Sequence, residues 1–162
     1  MPTTRIAFLL APLLTALATP AQTVRLVKEI RPGIAGSNPT GLTDFSGALL
    51  FAADDGTHGA TLWRSDGTDP GTFMLSSTTS NAPGRPRNIF PFGAIALFSG
   101  TAQGSADEEL WKTDGTPGGT VLVREFVPGS AGGHPQGFCQ FHGKVYFQAY
   151  TGATGEELFV TD

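Results

Sequence analysis

A repeat constrains this chain more than any other feature. Leu62-Trp63-Arg64-Ser65-Asp66-Gly67-Thr68 recurs as Leu110-Trp111-Lys112-Thr113-Asp114-Gly115-Thr116, and again as Leu158-Phe159-Val160-Thr161-Asp162. Trp63, Trp111 and Phe159 stand 48 residues apart. Other columns keep nearly the same step: Pro39, Pro86 and Pro135; Phe51, Phe98 and Phe147; Gly47, Gly93 and Gly143. Self-similarity at such a period marks one supersecondary unit stacked on copies of itself. Three units follow, at about 24–72, 73–120 and 121–162, the third short of its closing Gly-Thr.

Composition decides what kind of unit this is. With 22 Gly and 12 Pro in 162 residues, long helices are excluded, because both residues break them. Twelve Phe, two Trp and two Tyr exclude wholesale disorder. Val24–Ile30 alternates and is β-branched, so it reads as a first strand. Gly41–Phe45 and Ala48–Ala53 read as a hairpin turning at Ser46-Gly47, and Thr61–Ser65 as a fourth strand. Leu49-Leu50-Phe51 and Val145-Tyr146-Phe147 are apolar at successive positions, as strands covered on both faces require. The expected fold is all-β: a propeller-like array of about three four-stranded antiparallel blades. Closed propellers have roughly four to eight blades, so the ring is not closed.

Residues 1–21 differ from the rest. Arg5 precedes an apolar run from Ile6 to Ala18, and Thr19-Pro20-Ala21 supplies small residues, the pattern of a secretory signal peptide. The expected address is secreted or cell-surface, with no membrane span once the signal is cleaved. Cys139 is the single cysteine, so no intramolecular disulfide forms; its apolar neighbours suggest a half-buried, inert thiol. The net charge of −4 and the lack of a basic run argue against a nucleic-acid partner.

The motif itself, Leu-Trp-x-Ser/Thr-Asp-Gly-Thr, is preceded by Glu109 in unit two and Glu157 in unit three. With Gly119-Thr120-Val121-Leu122-Val123-Arg124-Glu125 and Gly143-Lys144-Val145-Tyr146-Phe147, it resembles the ELWxxDGT repeat family of exported bacterial proteins. That resemblance covers nearly all of 23–162. It implies a propeller-like β architecture and no established enzymatic activity. Thr61 replaces the motif Glu in unit one, and Phe159 replaces Trp in unit three.

Asp66 and Asp114 are the candidate calcium ligands, since loop carboxylates bind hard cations. They lack the alternating oxygen ligands of a dedicated loop, so an Asx-type turn is the simpler reading. Glu108-Glu109 and Glu156-Glu157 are paired carboxylates, but adjacent strand residues face opposite ways and cannot flank one glycosidic bond. Asp54, Asp55, Asp107 and Glu108 are the acidic residues that a propeller enzyme would gather, and Thr151-Gly152 does not complete the set. His58, His134 and His142 show no ligand spacing. Trp63, Trp111 and Phe159 read as packing aromatics.

The function expected from these features is non-catalytic binding or scaffolding at or outside the cell surface, with a protein or polysaccharide ligand. Further repeats or another chain would complete the array. The alternatives are part of a glycan hydrolase or lyase, or a truncated fragment without independent function. Apart from calcium, no cofactor is expected.

Overall fold

Hairpins with two-residue turns build most of the structure. At Ser46-Gly47 and His142-Gly143 both turn residues have positive φ, 51° and 78° in the first, 49° and 74° in the second. That geometry matches the right-handed twist of the flanking strands, and glycine adopts it without a Cβ penalty. The expected hairpin is present: β1 (Thr40–Phe45) pairs with β2 (Ala48–Asp54), Phe45 opposite Ala48.

The computed structural model describes residues 22–75, 83–102, 105–129 and 131–162. The signal-peptide reading, the Ser76–Ser80 run and Gln103-Gly104 lie outside them. Among the described residues there is no helix, and therefore none long and apolar enough to cross a membrane. After β1 and β2 come β3 (Ala60–Ser65), β4 (Phe73–Met74), β5 (Pro83–Phe92), β6 (Ile95–Ala102), β7 (Glu108–Thr113) and β8 (Val121–Arg124). The chain continues with β9 (Gln136–Phe141), β10 (Lys144–Thr151) and β11 (Gly155–Thr161). Every pairing is antiparallel.

One sheet runs β1-β2-β3-β5-β6-β7-β8, with β4 also on β3; a second runs β11-β10-β9, and neither closes. The joint between β3 and β5 is a single pair, Thr61 opposite Gly84. The hydrogen bonding thus falls into three strand groups: β1–β4, β5–β8 and β9–β11. Each contains the same cross-strand aromatic pair: Phe51 opposite Trp63, Phe98 opposite Trp111, Phe147 opposite Phe159.

The apolar clusters lie between the groups. Leu50 and Leu62 of the first pack with Ala96, Phe98 and Trp111 of the second. Leu97 and Leu110 of the second pack with Val145, Phe147 and Ala149 of the third, rimmed by Phe126, Phe138 and Phe159. Each group therefore presents its aromatic face to the group before it and its leucine face to the group after it. The aromatic face of the first group, Phe51 and Trp63, is covered by Ile30 and Met74.

Three expectations need correcting. Val24–Ile30 belongs to no strand, because its backbone makes no hydrogen bond to a neighbouring strand among the described residues. Its counterparts β4 and β8 pair with β3 and β7 of the preceding unit, so strand groups and sequence repeats are out of phase. Cys139 is exposed, because it lies on β9, whose outer edge has no strand partner among the described residues. Double-sided burial holds for Leu50 and Phe51 but not for Leu49, opposite Ser65 at a strand end and 39% exposed. In the third group Val145 and Phe147 are buried, whereas the face carrying Leu158 and Val160 is open.

Phe98 is wholly buried in the first inter-group layer. Phe98→Ala is expected to cost about 3–5 kcal/mol, the range for large-to-small changes in a packed core. Ile34→Ala, at a fully exposed position, should stay within about 0.5 kcal/mol of the parent. Urea denaturation of the two variants measures both.

Candidate functional site

The Asp-Gly-Thr turns come first, because they carry the motif. Asp66 Oδ1 accepts the Thr68 amide at 2.9 Å and the Thr68 hydroxyl at 2.7 Å. Thr68 Oγ1 in turn accepts the Gly71 amide at 3.0 Å, and Thr72 Oγ1 donates to Thr68 O at 2.6 Å. The loop is closed across its base by Ser65 Oγ and Thr72 Oγ1, 2.6 Å apart. Asp114, Thr116, Gly119, Thr120 and Thr113 repeat the whole set, with the hydroxyl pair at 2.7 Å. These are Asx-type turns with an added hydroxyl relay. The Thr68 and Thr116 hydroxyls, followed by the amides of the same residues, hold the Asp66 and Asp114 carboxyls below the ordinary aspartate value.

This geometry serves the turn. Asp66 Oδ1 and Asp114 Oδ1 face donor hydrogens of their own loops, where a cation would be repelled. No group of three or more His, Cys, Asp or Glu that could hold a metal stands together among the described residues. The sequence foresaw the aspartate-to-backbone bond but missed the hydroxyl pair, although Ser65/Thr113 and Thr72/Thr120 recur as hydroxyl residues. Gly71 and Gly119 have no room for a side chain: a Cβ there falls on the Asp66 or Asp114 carboxylate.

The other polar residues gather where β1, β5 and β9 begin. Asn38, Arg85 and His134 have φ of 45°, 47° and 47°, and each precedes a proline of the repeating column, Pro39, Pro86 or Pro135. A side-chain-bearing residue in this left-handed region carries about 1–3 kcal/mol of strain. Its recurrence in all three units makes it part of the unit, and it leaves Asn38, Arg85 and His134 exposed.

The acidic candidates lie nearby but do not converge. Asp54 is bridged to Arg31 at 2.6 Å. Asp55 Oδ2 meets His58 Nδ1 at 2.7 Å, and its Oδ1 accepts the Thr57 and His58 amides, each at 2.8 Å. Burial opposes the Asp55 charge, but the His58 and Thr57 donors outweigh it and hold the carboxyl at about 2. Glu108 lies 3.6 Å from both Arg87 and His134, and its carbonyl accepts the Gly133 and His134 amides. Asp107 bonds Ser105. His142 is a hairpin-turn residue packed edge-on against Phe141.

Glu109 does something that its sequence neighbourhood did not reveal. It is buried, and burial raises its pKa, opposed by the Phe126 and Val127 amides that it accepts at 2.8 and 3.2 Å. It thereby ties the segment after β8 to the start of β7. Glu156 and Glu157 are exposed. The motif aromatics are packed: Trp63 and Trp111 are buried, each indole N–H bonded to a carbonyl, Ala53 O at 3.2 Å or Gly100 O at 2.9 Å. Phe159 lies edge-on to Phe126.

No family model, curated protein or solved structure matches the chain.

The turn geometry can be tested by substitution and by pH. Gly119→Ala should push Asp114 out of its turn and cost about 1–3 kcal/mol in a thermal melt, the range for a lost turn or strained backbone. Asp55 ionises at about 2 when folded, against 3.8 unperturbed, so its contribution is complete above pH 3.8 and is lost as pH falls toward 2. The Asp66 and Asp114 carboxyls, also lowered, act in the same direction. The melting temperature should therefore drop between about pH 4 and about pH 2, and Asp55→Asn should flatten that drop.

Proposed function

We propose that this chain is an exported, propeller-like repeat protein of the ELWxxDGT kind, acting as a non-catalytic binding or scaffolding module at or outside the cell surface. The observation that carries this reading is the register of the three strand groups. The same aromatic pair stacks each group on the leucine face of its neighbour, as blades around an axis do. The first strands of the groups, β1, β5 and β9, would line that axis, with β4 and β8 outermost.

A binding role fits the polar residues better than catalysis. A hydrolase keeps one carboxylic acid and one carboxylate free to face a substrate across a few ångströms. Here Asp54, Asp55 and Glu108 are each engaged by a local cation or histidine. Arg85, Arg87 and His134 are exposed on the same strand-start rim and offer donors to hydroxyl-rich or acidic groups. A polysaccharide is the ligand class these donors suit.

A glycan array probed with the purified protein tests this reading. Binding to at least one polysaccharide class is expected, weakened tenfold or more by Arg87→Ala combined with His134→Ala while the melting temperature holds. An array without binding would overturn the glycan ligand, and hydrolysis of a bound glycan would overturn the non-catalytic role.

A further inference from the structure

We infer that residues 25–28 of a second copy of this chain add as an antiparallel strand to the free edge of β11, joining copies head to tail. Within one copy this pairing is already made twice, in one register. Met74 lies opposite Trp63 and Phe73 opposite Arg64; Leu122 lies opposite Trp111 and Val121 opposite Lys112. The third member of the series is Phe159 on β11, and β11 pairs only with β10 among the described residues.

The matching donor strand is present in the sequence. Leu26-Val27-Lys28-Glu29-Ile30-Arg31-Pro32-Gly33 repeats Leu122-Val123-Arg124-Glu125-Phe126-Val127-Pro128-Gly129 with a step of 96, the distance from Trp63 to Phe159. Leu122, Val123 and Arg124 are the greater part of β8. In the first unit the same stretch belongs to no strand, and residues 22–30 make no backbone–backbone hydrogen bond among the described residues. Val24 and Leu26 are 101% and 76% exposed. Residues 25–28 are held by surface side-chain contacts, Arg25 to Gly67 O and Lys28 to Asp69, while Ile30 and Arg31 anchor the segment that follows. Such exposed pairs contribute roughly 0–1 kcal/mol and are readily exchanged.

The receiving side matches feature by feature. Leu62 and Leu110 are 0% and 2% exposed beneath the following group, whereas the equivalent Leu158 is 75% exposed. Glu109 accepts the amides of Phe126 and Val127, and its equivalent Glu157 is exposed. The amides a step of 96 earlier are those of Ile30 and Arg31, which donate to no other group among the described residues. Transferring the register places Leu26 opposite Phe159 and Arg25 opposite Val160. Ile30 already lies on the Phe51–Trp63 face as Phe126 lies on Phe147 and Phe159, so the incoming group arrives with its aromatic side facing Leu158.

An interface using different surfaces on the two partners closes into a ring when the rotation allows. Two copies of residues 22–162 supply six strand groups, within the roughly four to eight of closed propellers, so these residues are expected to pair as a dimer. The ring rests on the propeller reading above; the strand pairing rests on register alone and is independent of any ligand.

Light scattering and cysteine cross-linking test the inference. The chain should have twice the mass of one copy, and Leu158→Asp should return it to one copy that still melts cooperatively, at a lower temperature. In a Cys139→Ser background, chains carrying only Arg25→Cys mixed with chains carrying only Val160→Cys should form a disulfide-linked pair. A single-copy mass for the unaltered chain, or no linkage on mixing, would overturn the inference. So would a disulfide within one copy when both cysteines are on the same chain. Linked species larger than two copies would uphold the strand pairing and sink the propeller ring.

Discussion

Leucine stacked on an aromatic pair is the contact on which the rest of this structure depends. A strand group of three or four short strands cannot cover both of its faces. Here one face is set by Phe opposite Trp or Phe, and in the first two groups the other is set by two leucines on the same two strands. The two faces are complementary to each other and not to themselves. Packing therefore propagates in one direction, from the first group to the third. Full burial of an aromatic or leucine side chain contributes roughly 1.5–3 kcal/mol, so the two inter-group layers dominate the hydrophobic stabilisation.

The turns are the second dependence, and they work by satisfaction of polar groups. Each Asp-Gly-Thr loop uses its aspartate, both threonines and a base hydroxyl to accept or donate within itself. A loop so occupied needs no ligand to hold its shape. This is why a motif that draws the eye toward metal chemistry serves architecture here. The chemistry open to solvent lies at the strand-start rim instead, where Arg85, Arg87 and His134 are displayed.

Much of this architecture is legible in the amino-acid sequence. The period locates the aromatic column, and the Gly positions locate the hairpins, because a turn with two positive φ values leaves little choice of residue. The motif spacing predicts the aspartate-to-backbone bond. Strand partnership is not legible: Val24–Ile30, Phe73–Met74 and Val121–Arg124 open their repeats in sequence, but pairing depends on which edge lies beside them. The left-handed φ at Arg85 is equally hidden, since arginine does not favour it and only the proline that follows marks the place. Burial of Glu109 escapes a sequence reading because its partners are backbone amides, which carry no side-chain signature.

The motif Glu position fastens the next unit differently in the first two strand groups. Thr61 is short, and its backbone can meet that of Gly84, so β3 and β5 join in one sheet. Glu109 is longer and reaches across to the Phe126 and Val127 amides. The Glu108 carbonyl also accepts the Gly133 and His134 amides, so backbone bonds join β7 to the segment before β9 as well, without a ladder. Glu109 thus adds a carboxylate clamp at a junction that backbone bonds also bridge. Removing the clamp would leave two amides without their acceptor, a loss of about 1–3 kcal/mol expected for Glu109→Ala in a urea melt. Thr61→Ala, where the bridge is backbone and the hydroxyl only assists the Trp63 indole, should lose less than Glu109→Ala in the same measurement.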